Sequence, residues 1–167
     1  MKNLVFGLLL SLVFLGCTSK EVDPKDLEAK LVVQQSVAAF VLKDQHQKAH
    51  TIPADTTTLI FAFSKDMGHT CNDFFASKED TYLNDNHSIF VADVSGAPSI
   101  IRSMFIMPGL KDFKHTVLVI DDKNVATGYK VGMDTEKIVI VSLDNNIITK
   151  ITTVTTTQEL ANAIEAK

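Results

Sequence analysis

The side chains of this sequence best suited to chemistry stand together in one short stretch: Met67, His69 and Cys71. A thiol becomes a nucleophile when it ionises, and a nearby imidazole can take or hold its proton. Thioether, imidazole and thiolate together also form a soft donor set of the kind that binds copper(I). The one other cysteine, Cys17, directly follows Gly16 at the end of an apolar run over residues 4–15 that Gly7 and Ser11 interrupt. Lys2 precedes that run. It is too short for a membrane span, which takes about twenty apolar residues, and it has the basic start and the length of a secretory signal, about 7 to 15 residues.

A cysteine in this place resembles the bacterial lipobox. The resemblance implies that Cys17 is diacylated and becomes the mature amino terminus, two acyl chains giving stable attachment to a membrane. The expected organisation is a signal peptide over 1–16, a lipidated amino terminus and tether over 17–34, and a single domain over 35–167. The expected location is the cell envelope, on the periplasmic or extracytoplasmic face. With Cys17 consumed, Cys71 is the only free thiol, so any disulfide must join a protein or small-molecule thiol partner.

Strands and helices must position Cys71. Residues 58–63 are β-branched and aromatic with almost no polar alternation, which predicts a strand buried on both faces. Thr70 followed by Asp73 resembles a capping box and predicts a helix over 71–79. Cys71 would then lie in the first turn, where the helix dipole and free N–H groups lower a thiol's pKa, with His69 assisting. Upstream, strands over 37–42 and 48–52 about a turn at 43–47 predict an opening hairpin. Downstream, the pattern predicts a strand over 88–94, a helix from Pro98 to Met107 stopped by Pro108-Gly109, and a strand over 115–120. Strands over 137–141 and 147–151 about Asp144-Asn145-Asn146 follow, with a closing helix over 157–166. Met104 and Met107, at helical spacing, are expected in the core, and His87 and His115 are expected to be solvated at strand starts.

Composition narrows the function. The chain has 16 basic and 20 acidic residues and a net charge of -4, so it has no basic excess to attract nucleic acid. Arg102 is its only arginine, which leaves little for a phosphate clamp.

The order of elements, with Phe40-Val41-Leu42-Lys43-Asp44-Gln45 and Val117 to Tyr129 (VLVIDDKNVATGY), resembles the TlpA-like and peroxiredoxin-like branches of the thioredoxin superfamily. These carry an F-x-L-x-D-x opening and a VLLDPDGEVAKAY-like segment. The resemblance implies an α/β fold with a central mixed sheet flanked by helices and an amino-terminal β-hairpin. It also implies a Cys-x-x-Cys between the central strand and the next helix, where this chain has Gly68-His69-Thr70-Cys71, so a two-cysteine cycle is excluded. Peroxiredoxins place one cysteine at the spacing of Cys71, but their proline and threonine positions hold Ser64 and Gly68 here. Their arginine, and the proline of TlpA-like proteins, falls near Glu136, whose charge would disfavour a thiolate. Three readings follow: single-cysteine thiol-redox or antioxidant chemistry at Cys71, which ranks first; a non-catalytic binding or scaffold module; and a copper chaperone using Met67, His69 and Cys71, as in the Sco type. No other cofactor is expected.

Overall fold

The structure is a computed structural model that describes residues 28–166. The expected signal peptide, Cys17 and the first part of the expected tether lie outside the described residues.

Seven strands form one mixed sheet in the order β2-β1-β5-β4-β3-β6-β7. Its centre is β3 (Thr58–Ala62), parallel to β4 (Ser88–Asp93), which is parallel to β5 (Val117–Ile120). The strands β1 (Val41–Asp44) and β2 (Ala49–Thr51) extend one side antiparallel, and β6 (Ile138–Asp144) and β7 (Ile147–Val154) extend the other. Every residue of β3 is buried because each face of the sheet carries its own core. Leu59 and Phe61 join one cluster, Ile60 and Ala62 the other. This is the period-two alternation of a strand covered on both sides.

Two helical layers supply the covers. On the first face lies α5 (Lys123–Lys130), with Ala126 and Tyr129 in the cluster together with Leu31 and Val37. On the second lie α1 (Lys65–Ala76), α2 (Tyr82–Asp85), α4 (Met107–Lys111) and α6 (Thr157–Glu165), which contribute Cys71, Phe75, Leu83, Leu110, Leu160 and Ile164. A short α3 (Ser99–Ile101) and a π-helical turn (Arg102–Ile106) lead directly into α4.

Several boundaries differ from expectation, each for a local reason. Leu31, in the stretch read as tether, is 2% exposed and belongs to the core. Residues 37–40 turn instead of extending, since the chain first pairs with β7: Gln34 N donates to Ile148 O, Ile148 N to Gln35 O and Val37 N to Asn146 O. Pro108 does not stop its helix. Met107 N donates to Arg102 O across the π turn, and this shift of register lets Pro108 open α4, where a missing N–H costs least. Helix α5 had no counterpart in the sequence reading; Asp122 starts it by accepting from Asn124 N at 2.7 Å and Val125 N at 3.1 Å. The turn at Asn145-Asn146 forms as expected, with φ values of 48° and 63° that asparagine tolerates.

Candidate functional site

Helix α1 begins at Lys65 because Ser64 is its cap, its hydroxyl accepting from Met67 N at 3.4 Å. Thr70, the expected cap, is inside the helix and donates its hydroxyl to Asp66 O at 2.9 Å. Cys71 is therefore in the second turn, beyond the reach of the free N–H groups and of most of the dipole. It is 0% exposed among the apolar side chains of the second core. Burial pushes its thiol up to about 12. No neighbouring charge contributes, and Glu136, expected beside the thiol, is exposed at the surface and pairs with no part of α1. The first-turn placement is overturned by the register of this one helix.

The same register separates the candidate copper ligands. Met67 and Cys71, four residues apart, share the inner face and pack on the second core. His69 stands about 200° around the helix from Met67, on the side away from that core. The helix thus brings the thioether and thiol together and turns the imidazole away. Among the described residues, no group of three or more His, Cys, Asp or Glu side chains is placed to hold a metal ion.

A polar pair missing from the sequence reading lies beside Cys71. Asn72 is 7% exposed, and its Oδ1 stands 3.1 Å from Nε2 of His115, which is 6% exposed rather than solvated. Phe75, Phe90 and Phe113 surround the imidazole, and burial lowers its pKa to about 4. An amide oxygen only accepts, so the neutral ring donates from Nε2. The segment is fixed further by the buried Gln45, whose Nε2 donates to His115 O at 2.9 Å while its Oε1 accepts from Val117 N at 2.9 Å. A separation of 43 residues between Asn72 and His115 gives a single sequence no signal of their pairing.

At the amino-terminal end of β4, a cleft of about 490 Å³ is lined by His50, Asp55, Asp80, His87, Lys114 and His115 among others. Its charged groups are matched within the protein. His50 Nε2 pairs with Asp44 at 2.7 Å, His87 Nδ1 with Asp55 at 3.2 Å and Lys114 with Asp80 at 3.3 Å. It lies at the end of the parallel strands opposite the β3–α1 link.

No family model matches the chain, and no curated protein matches its sequence. Solved structures do match its fold. StoA from Bacillus subtilis is 14% identical, with a TM-score of 0.53 over 78% of this chain and 100% of that one. The thioredoxin domain of a thiol-disulfide oxidoreductase from Bacteroides vulgatus is 9% identical, with a TM-score of 0.51 over 81% and 97%. Peroxidoxin BcpB from Mycobacterium tuberculosis is 15% identical, with a TM-score of 0.51 over 79% and 93%. The fold is thioredoxin-like. In a thioredoxin-like frame the link from central strand to helix is the place expected to hold a reactive cysteine, and here it is Phe63-Ser64 followed by Lys65-Asp66-Met67-Gly68. The loop before β6 holds Asp134 and Lys137, paired at 3.0 Å, where relatives of the resemblance would hold proline or arginine. No helix of the described residues is long and apolar enough to cross a membrane.

Proposed function

We propose that this chain is an exported lipoprotein, held through Cys17 to the extracytoplasmic face of a bacterial membrane, whose thioredoxin-like domain acts by binding and not by thiol exchange. The observation that carries the reading is the burial of Cys71 in the interior of α1, with its thiol held protonated. Attack on a peroxide or a disulfide needs a thiolate that the oxidant can reach, and this thiol is neither ionised at neutral pH nor accessible. The cysteine fills space as a small apolar side chain instead. Copper has no better support, because His69 faces away from Met67 and Cys71. Export and anchoring rest on the leader and on Gly16-Cys17.

The test is intact-protein mass spectrometry after the folded chain is exposed to hydrogen peroxide or to oxidised glutathione at neutral pH. The expected result is no oxygen or glutathione added to Cys71 until the protein is unfolded. Rapid modification of the folded protein would restore single-cysteine redox chemistry as the better reading.

A further inference from the structure

The helical stretch after β4 is apolar on both of its sides. Inward, Ile106, Met107 and Leu110 pack on the second core. Outward, Ile100, Met104 and Phe105 are 60% or more exposed, and Ile101 is 43% exposed. Met104, expected in the core, is thus turned outward, while Met107 packs inward as expected. A helix that is apolar all round belongs between two apolar surroundings, and contiguous large apolar side chains in water mark an interaction face. The π turn at Arg102–Ile106 lies in the middle of this face.

Charge indicates what meets it. From Val94 to Lys111 the chain has no acidic residue, although it carries 20 in all, and the charges within the stretch are Arg102 and Lys111; the exposed Asp112 follows at the end of α4. Arg102 is held at the root of the helix, its guanidinium donating to Ala97 O at 3.1 Å and Ser95 O at 3.5 Å. The acidic pair Asp121-Asp122 at the start of α5 belongs to the opposite helical layer. An apolar face with basic residues and no carboxylate before Asp112 at its far end suits the head-group region of a bilayer, where acyl chains receive the apolar side chains and phosphates receive the cations. The residues between Cys17 and Glu28 reach about 35 Å when fully extended, which keeps an anchored domain near the lipid surface.

We infer that this face rests on a phospholipid surface, with Ile100, Ile101, Met104 and Phe105 entering the acyl boundary and Lys111 at the phosphates. For its proximity to lipid the inference rests on the anchored reading above; for its chemistry it rests on the helix alone. A second attachment of this kind fixes the orientation of a domain that a tether would leave free to tumble.

The chain contains no tryptophan, so Phe105→Trp gives a single indole, excited selectively over the two tyrosines, on the proposed face. The full chain carrying it is mixed with vesicles of phosphatidylethanolamine and phosphatidylglycerol that contain phosphatidylcholine brominated on its acyl chains. The expected result is a blue-shifted emission and quenching of most of the intensity. The control Val41→Trp, at a position 60% exposed on β1, is expected to remain unquenched. If the indole of the Phe105→Trp variant stays as unquenched and water-exposed as that of the control, the inference is overturned and the face is assigned to a protein partner. Quenching of both variants to the same degree overturns it too, since lipid contact is then not confined to this helix. The mass of the amino-terminal peptide reports acylation of Cys17 separately, so failure of the anchor is distinguishable from failure of the face.

Discussion

Two strand-to-helix junctions stand side by side in this molecule and have opposite characters. After β3 the chain enters α1, whose inner face is fully packed: Cys71 is 0% exposed and Phe75 3% exposed. After the parallel neighbour β4 it enters the α3 to α4 stretch, which leaves Phe105 64% exposed. In a thioredoxin-like frame the first junction is where chemistry is expected, and here it is the sealed one. Reactive thiols and binding faces both require exposure, which the second junction has and the inner face of the first does not.

Substitutions should break this comparison unequally. The largest effect is expected at Phe75, whose ring meets Phe90 at 5.2 Å and His115 at 5.4 Å between centroids. Phe75→Ala should cost about 3–5 kcal/mol of unfolding free energy, measured by urea denaturation. An intermediate effect belongs to pH. The folded protein holds His115 neutral with a pKa lowered to about 4, whereas the unfolded chain binds a proton near 6.5. Its contribution is therefore present above about pH 6.5 and is lost as pH falls toward 4, on the order of 2 kcal/mol. The denaturation midpoint should fall across that window, and His115→Gln should flatten the fall. The smallest effect is expected on the outward face: Phe105→Ser should change stability by no more than about 0.5 kcal/mol in solution. A large loss at Phe105 would mean that its ring is part of the core and would erase the contrast between the two junctions.

The sheet was largely legible because its signals are local. The apolar run of β3 and the Asn145-Asn146 turn announce themselves in the residues that form them. The start of α1 was not legible, because two capping signals compete in one stretch. Thr70 with Asp73 resembles a capping box more closely than Ser64 does, but a helix begun at Lys65 already buries Cys71, Asn72 and Phe75 on its inner face, and packing decides the register. That shift of six residues, about one and two-thirds turns, moves Cys71 from the expected first turn into the second, on the face packed against the core. Helix α5 escaped notice because Val125, Thr127 and Gly128 are weak helix formers, and only Asp122 marks its start. The burial of His115 depends on phenylalanines from three separate parts of the chain, Phe75, Phe90 and Phe113, which no local pattern encodes.

The most direct test of the central claim is the pH dependence of alkylation of Cys71 in the folded protein, compared with the unfolded chain as the reference for an ordinary thiol near pH 8.5. Slow labelling of the folded protein up to about pH 9, with rapid labelling only on unfolding, is the predicted result and makes Cys71 structural. A folded-state thiol that labels quickly and titrates below the unfolded reference would contradict it and return the chemistry to the junction after β3.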